Sequence, residues 1–116
     1  MRRDFELIRL LLLELEGDES VNLSAYTGDQ VNYHKALIKE AGLAEGIIHY
    51  PSTEQTDIPD LAILQKLTWQ GHEFLDKARN DTVWNKAKNI VKEKGVPLSL
   101  DVLKIALSEA VKMLMS

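Results

Sequence analysis

The segment 27–75 constrains the fold more than any other part of the chain. Thr27 and Gln30 form a capping box at its start, and the apolar side chains that follow recur at helical spacing as far as Gly42. Glycine readily takes the left-handed conformation that ends many helices. The sequence therefore predicts a helix over 27–41 that stops at Gly42.

A pair of strands and a further helix follow. Residues 43–50 and 61–67 favour strands, and the segment between them, 51–60, has two prolines and several small polar residues. These features predict an antiparallel ribbon with a turn at 51–60, after which Thr68 caps the next helix. Helix, glycine, ribbon and helix in this order are typical of a winged helix, in which the ribbon is the wing.

Helical patterns also flank this segment on both sides. Apolar spacing predicts a first helix over 4–16, and Asp81 is placed to cap a helix that ends at Gly95. Ser99 introduces a last helix that is apolar over more than one face, so it either packs on the body or contacts a partner. Alternation at 21–23 predicts a short strand, which in a winged helix joins the ribbon as a third strand.

These elements predict an α+β protein that is mainly helical, with a winged helix-turn-helix-like domain and two extra C-terminal helices. At 116 residues the chain is long enough for one core. We therefore predict a single domain over 1–116. Its core lies at 1–80 with the wing at 43–67, and 81–116 form a helical extension.

Composition excludes several classes of protein. The chain has no cysteine, so disulfides, thiolate metal sites and cysteine nucleophiles are absent. Its hydrophobic content of 45% is typical of a globular protein. Met1 leads directly into charged residues, and the apolar run at 10–13 is too short to span a membrane. We therefore expect a cytoplasmic protein without membrane contact.

The net charge of −4 is unevenly distributed. Residues 1–80 carry 8 Lys and Arg against 14 Asp and Glu, whereas residues 81–116 carry 6 Lys against 4 acidic residues. A polyanion is therefore expected to prefer the C-terminal part. The basic cluster of the chain consists of Lys86, Lys88, Lys92 and Lys94. It either holds a phosphate backbone or an acidic protein, or is the solvated side of an amphipathic helix, and the pattern favours the solvated side.

The helix at 27–41 makes a DNA-binding transcriptional regulator the leading hypothesis, because the first half of this helix enters the major groove in winged-helix proteins. Its candidate DNA contacts are Asp29, Gln30, Asn32, Tyr33, Lys35 and Lys39. Gln and Asn side chains bind adenine through two hydrogen bonds. The charges of the helix balance, however, and the wing tip is acidic, so the phosphate attraction that dominates DNA affinity is weak. The alternative is a protein-interaction adaptor on the same fold without DNA contact.

The last helix offers a candidate homodimer seam. Its members recur as in a heptad and are Leu103, Leu107, Ala110 and Leu114. A two-fold dimer would present two copies of the helix at 27–41 to one DNA site. The alternative is a helix that packs on the core of its own chain.

Nothing in the sequence indicates catalysis or a cofactor. Phosphate loops, nucleophile elbows and paired carboxylates on a recognisable frame are absent, so we expect no enzyme. His34, His49 and His72 lie on separate predicted elements without a metal-binding spacing, and His34 is expected to pack beside the core with one ring nitrogen bonded. Trp69 and Trp84 are expected to fill the core between the C-terminal helices.

Several segments resemble known families. YHKALIKEAGL at 33–43 resembles the end of the recognition helix in bacterial winged-helix repressors of the arsenic-repressor kind, and LTWQGHEFL at 67–75 resembles the helix start after the wing in such regulators. Over nearly its full length the chain is similar to a bacterial and prophage-borne family, domain of unknown function 2513, through MRRD at 1–4, LTWQGHEFLD at 67–76 and DTVWNK at 81–86. This resemblance implies a phage or mobile-element setting and no assigned activity.

Overall fold

A computed structural model describes residues 1–53 and 55–116. Its elements are, in order, α1 (Phe5–Leu15), α2 (Gly28–Glu40), β1 (Ala44–His49), β2 (Leu61–Leu67), α3 (Trp69–Ala78), α4 (Asp81–Lys94) and α5 (Leu100–Met115). The predicted α+β class with mainly helical content is confirmed. The chain divides into two compact units, Met1–His72 and Glu73–Ser116, so the boundary lies inside α3. The prediction of one domain over the whole chain stays a prediction.

The first unit, Met1–His72, begins with two capped helices. The Asp4 carboxylate caps α1 by accepting the Leu7 N–H at 3.1 Å. Thr27 caps α2 through the predicted capping box, in which its hydroxyl accepts the Gln30 N–H at 3.1 Å and the Gln30 side chain accepts the Thr27 N–H at 2.8 Å. These caps satisfy amides that have no partner within the helix. The predicted bounds of both helices are thereby confirmed to within one residue.

The segment between α1 and α2, residues 16–27, consists of turns and irregular backbone. Residues 21–23 form no strand, so the predicted third strand is wrong. The Asn22 side chain instead accepts the Ser24 N–H at 2.9 Å, a local bond that competes with strand pairing. The segment also contains no helix, whereas a helix-turn-helix needs two helices joined by a short turn. The winged-helix comparison therefore stays a prediction.

Strands β1 and β2 form the predicted antiparallel ribbon, with Ile47 opposite Ile63. The register shifts between Glu45 and Gly46, which leaves Gln65 as an extra residue in β2. A Cβ atom at Gly46 would lie 2.4 Å from the Ile63 carbonyl oxygen. The bulge therefore brings the two backbones closer than a side chain on β1 would allow.

A second close backbone contact starts α3. The Thr68 N–H donates to the Leu43 carbonyl at 3.0 Å, and the Thr68 hydroxyl accepts the Gly71 N–H at 3.0 Å. This hydroxyl is the cap that the sequence predicts. A Cβ atom at Gly71 would lie 1.8 Å from the Leu43 carbonyl oxygen, so only glycine fits where the first turn of α3 crosses the start of the ribbon.

The second unit, Glu73–Ser116, contains the end of α3 together with α4 and α5, which pack along each other. Asn80 caps α4 by accepting the Val83 N–H at 3.1 Å, so the predicted cap at Asp81 is wrong by one residue. The left-handed Gly95 ends α4 as predicted, and Ser99 caps α5. The two helices are therefore bounded by local signals, as in the first unit.

Candidate functional site

Both amide side chains that were expected to read DNA bases are engaged inside the chain. The Gln30 side-chain oxygen accepts the Thr27 N–H at 2.8 Å. The Asn32 amide donates to the Pro59 carbonyl at 3.4 Å, which ties α2 to the turn of the ribbon. An amide that binds adenine bidentately uses both its oxygen and its nitrogen. Neither side chain is free for that contact in this structure.

The other candidate DNA contacts lie on different sides of α2. Asp29 and Lys39 are exposed at opposite ends of the helix and carry opposite charges. Tyr33 is partly buried, and its ring packs edge-on against His34 with 5.5 Å between centroids. Lys35 is partly buried and lines a groove beside α1 and β2. The charges of α2, all of which is described, therefore do not gather into one basic surface.

His34 joins α2 to the start of α1. The ring is 1% exposed, its Nε2 accepts the Asp4 N–H at 2.8 Å, and its Nδ1 lies 2.7 Å from the Gln30 carbonyl oxygen. Because a carbonyl oxygen only accepts hydrogen bonds, Nδ1 carries the proton and donates it. Since Nε2 accepts a hydrogen bond, it carries no proton, and the ring is neutral. The predicted core position of His34 is confirmed, with two bonded ring nitrogens instead of one.

The outer face of the ribbon is apolar. Ile47 and Ile63 face each other across the strands and are 49% and 46% exposed. Leu61 lies two residues before Ile63, shares its face, and is 44% exposed. We call Ile47, Leu61 and Ile63 the ribbon stripe. The solvent face of an antiparallel sheet is usually polar, so this stripe is an apolar surface that its own chain leaves uncovered.

Acidic groups surround the ribbon stripe. Glu45 on β1 pairs with Lys66 across the strands at 3.5 Å. The Asp60 carboxylate accepts a hydrogen bond from His49 Nδ1 at 2.7 Å, and Asp57 in the turn is exposed. The first unit as a whole carries six Lys and Arg against twelve Asp and Glu. The field around the stripe therefore attracts basic partners and repels polyanions.

A groove runs beside β2 and meets the ribbon stripe at Ile63. Its volume is about 260 Å³. The rest of its lining mixes apolar side chains with charged ones and consists of Leu11, Leu15, Ala62, Leu64, Glu14 and Lys35. Pockets for small-molecule ligands usually measure about 300–1,000 Å³. The groove is therefore better suited to one or two side chains of a polypeptide than to a cofactor.

The basic cluster lies on α4 in the second unit. Lys88, Lys92 and Lys94 are exposed, whereas Lys86 is partly buried. Lys88 lies above the Trp84 ring, with its Nζ 5.9 Å from the ring centre. Three of the four predicted cations are therefore available to a partner, and one of them also packs on an aromatic ring.

The predicted dimer seam lies mostly inside the second unit. Leu103, Leu107 and Ala110 are each 0% exposed. Side chains that are already buried in their own unit do not contact a second chain, so the seam is wrong at these three positions. Leu114, near the end of α5, is 49% exposed. The exposed face of α5 instead centres on Ile105, which is 67% exposed.

The two tryptophans differ. Trp84 is 2% exposed and packs edge-on against Phe74 with 6.4 Å between centroids, which confirms its predicted core position. Trp69 is 76% exposed, so the same prediction is wrong for it. Trp69 is the first residue of α3, and the buried residues of this helix, at 71, 74, 75 and 78, lie on another side.

Three observations bear on other kinds of site. Burial, and then the charges of Asp4 and Glu6, raise the pKa of Tyr26, so its phenol stays protonated near neutral pH. Among residues 1–53 and 55–116, no three His, Cys, Asp or Glu side chains converge as metal ligands. Within the same residues, no helix has the length and apolar character needed to cross a membrane.

Comparison with known proteins identifies the family. The family model described as Hypothetical protein (DUF2513) matches residues 2–97, which include α1 to α4 and stop before α5. The chain belongs to the DUF2513 family. This DUF2513 protein is 44% identical over 111 residues to a protein of Haemophilus influenzae described as an uncharacterized protein, and the match covers 90% of each chain. No solved structure gives a significant match.

The sequence carries a signal for the ribbon stripe that was not among the predicted contacts. A strand with one buried face alternates apolar and polar residues. Ile47 and Ile48 are adjacent, and 61–64 read LAIL without a polar residue. Both faces of the ribbon are therefore apolar in sequence, although only one of them packs on the helices of this DUF2513 protein.

Proposed function

We propose that this protein is a non-enzymatic protein-interaction adaptor of the bacterial cytoplasm, which binds a basic segment of a partner protein on the ribbon stripe. The observation that carries this proposal is the exposed apolar pair of Ile47 and Ile63 on the outer face of the ribbon. Contiguous exposed apolar surface with a polar rim is typical of protein interaction sites. In this proposal the first unit is a winged-helix-like body whose wing is the contact surface.

The stripe alone is too small to give a stable complex. Covering the exposed halves of three aliphatic side chains contributes roughly 1 kcal/mol each, or about 3 kcal/mol in total. A complex with a micromolar dissociation constant needs about 8 kcal/mol. The adjoining groove supplies further apolar contact through Leu15 and Leu64. The partner segment therefore follows β2 and places a side chain in the groove.

Charge decides the chemistry of the partner. The exposed Asp57 and Asp60 lie in the turn next to Leu61, and the first unit has twice as many acidic as basic residues. Lys or Arg side chains in the partner segment gain from this field, which speeds association and disfavours acidic competitors. We therefore assign the stripe a partner that combines Lys or Arg with large apolar side chains.

Selection from a phage-displayed peptide library on the immobilised full-length chain tests the proposal. We expect enriched peptides that combine basic and large apolar residues. Their affinity should fall by about tenfold or more for a chain with both Ile47→Ser and Ile63→Ser. The control is Met113→Ser, which removes an exposed apolar side chain from the second unit and should bind like the parent. Peptides that are insensitive to the double change, or no enrichment, would refute the proposal.

A DNA-binding transcriptional regulator is the second candidate, favoured by the exposed Lys88, Lys92 and Lys94. In this version the basic cluster on α4 contacts the phosphate backbone. The prophage or mobile-element setting implied by the sequence resemblance is the reason for proposing that the protein regulates transcription. Base contacts from α2 would require Gln30 and Asn32 to give up the hydrogen bonds described above. This requirement makes DNA the weaker of the two candidates.

Binding to mixed-sequence duplex DNA across a salt series separates the candidates. A DNA-binding protein should show affinity that falls steeply with salt. Changing Lys88→Gln together with Lys92→Gln should then reduce the slope of log affinity against log salt concentration by about two, because each phosphate contact contributes about 0.9 to that slope. The Ile47→Ser and Ile63→Ser chain serves as the control and should bind DNA like the parent. Absence of binding at low salt would remove this candidate.

A further inference from the structure

The outward side of α5 has a charge order that is complementary to itself in the antiparallel direction. Residues three, four and seven apart share one side of a helix. The residues on this side, all exposed or partly exposed, are Asp101, Lys104, Ile105, Ser108, Glu109 and Lys112. We call them the α5 outer face. The opposite side of the helix holds the buried residues of the second unit.

The charges of the α5 outer face pair about a two-fold axis between positions 106 and 107. When a second copy runs antiparallel about this axis, Asp101 lies opposite Lys112 of that copy. Lys104 and Glu109 lie on opposite flanks of this pair of helices, because the two-fold axis keeps each flank of α5 on its own side. Symmetry repeats the pairing of Asp101 with Lys112, so the arrangement contains two pairs of opposite charge. A parallel arrangement in register would instead place Asp101 and Lys112 each beside its own equivalent.

The centre of the α5 outer face is apolar. Ile105, which is 67% exposed, lies opposite Ser108 of the second copy in this register. The two Ile105 side chains are then offset by three residues, or about 4.5 Å along the axis, and contact each other. The same register therefore brings exposed apolar groups and opposite charges together.

An apolar groove enlarges this surface on one side. It lies between α4 and α5, has a volume of about 190 Å³, and includes Ile105 in its lining. Ile90, Val96 and Val102 supply further apolar walls, and Glu109 lies at its rim. A second copy seated on the α5 outer face therefore also covers the edge of this groove.

We propose that the α5 outer face is a homodimer interface, in which two copies of α5 pair antiparallel about the axis between positions 106 and 107. The interface lies in the second unit and is independent of the ribbon stripe. One pair of helices covers less than the roughly 1,200–2,000 Å² of a stable complex, so the dimer is weak and depends on concentration. This interface replaces the seam through Leu103, Leu107 and Ala110, which are buried.

Sedimentation equilibrium of the full-length chain over a concentration series tests the dimer. The parent should show a reversible monomer–dimer equilibrium that weakens with salt, since surface charge pairs are screened. Ile105→Glu should raise the dissociation constant by about tenfold or more. Ile105→Ser should do so without adding charge, and circular dichroism checks that both variants fold. A parent that stays monomeric at every concentration would overturn the proposal, as would a dimer that both variants leave unchanged.

Charge reversal tests the register itself. Lys112→Glu should weaken the dimer, because it places two acidic groups opposite each other. Combining it with Asp101→Lys exchanges the signs of the pair and should restore the dissociation constant toward the parental value. The change Lys92→Glu on α4, outside the α5 outer face, is the control and should have little effect. If the combined variant is weaker than either single variant, the antiparallel register is wrong.

Discussion

Each of the two units of this protein is stabilised internally by a different kind of contact. In the first unit, backbone meets backbone at Gly46 and Gly71, and the buried His34 joins two helices through its ring nitrogens. In the second unit, α4 and α5 pack through side chains such as Trp84 and Leu107. Backbone contacts leave no room for one added carbon, whereas a side-chain core responds mainly to lost volume or added charge. Each unit is therefore vulnerable to a different substitution.

The units also differ in the surfaces they expose. The first unit shows an apolar stripe among acidic residues, which is complementary to a basic segment of another protein. The second unit carries eight Lys and Arg against six Asp and Glu, and opposite charges follow one another along α5. These surfaces are the reason for proposing a basic protein segment as the partner of the first unit and a second copy of the chain as the partner of the second unit.

The largest effect is expected in the core of the second unit. Leu107→Glu places a carboxylate at a position that is 0% exposed, and should cost about 4 kcal/mol or more in the free energy of unfolding. Ile105→Glu, on the opposite side of the same helix, should change it by less than about 0.5 kcal/mol. Urea denaturation followed by circular dichroism measures both, at concentrations where the protein is monomeric. Equal losses would contradict the assignment of the two faces of α5.

The next largest loss of stability is expected at a close backbone contact of the first unit. Gly71→Ala brings a carbon atom within 1.8 Å of the Leu43 carbonyl oxygen and should cost about 3 kcal/mol in the free energy of unfolding. Gly28→Ala is the matched control, because a Cβ atom there meets nothing within 4 Å and α2 gains helix propensity. We expect the control to be neutral or slightly stabilising. Similar losses at both glycines would show that the close contact at Leu43 does not limit stability.

The element bounds could be predicted because their signals are local. The capping box of Thr27 and Gln30, the stop at Gly42 and the end at Gly95 each depend on a few neighbouring residues. Local signals fail where two adjacent residues both suit a cap. Asn80 and Asp81 are such a pair, and Asn80 is the one that takes the extended cap conformation.

The functional surfaces could not be predicted to the same extent, because they depend on contacts distant in sequence. Asn32 is withdrawn from the candidate DNA surface by Pro59, which lies 27 residues away. The apolar pattern of α5 covers more than half of the helix, and only the packing of α4 shows that Leu107 lies inside and Ile105 outside. Residue types therefore locate the helices, whereas the fold decides which of their sides are exposed.

A smaller effect concerns the polar link between α1 and α2. His34→Leu removes the acceptor of the Asp4 N–H and the donor to the Gln30 carbonyl, which should cost about 2 kcal/mol in the free energy of unfolding. His49→Leu is the control, because the His49 side chain is 64% exposed and its bond to Asp60 contributes little. Urea denaturation of both variants checks this. A loss at His34 no larger than at His49 would show that the link is not needed once the helices are packed.

The smallest loss of stability is expected at the helix caps, a feature that both units share. Thr27→Ala removes the hydroxyl that accepts the Gln30 N–H, and Ser99→Ala removes the one that accepts the Val102 N–H. Each should cost about 1 kcal/mol in the free energy of unfolding, because a cap acts on its own helix end whatever the rest of the unit is built from. Thr82→Ala, at an exposed position inside α4, should be close to neutral. A much larger loss of unfolding free energy for Thr27→Ala than for Ser99→Ala would contradict this expectation. It would show that the first unit is sensitive to substitution at its helix ends as well as at its glycines and His34.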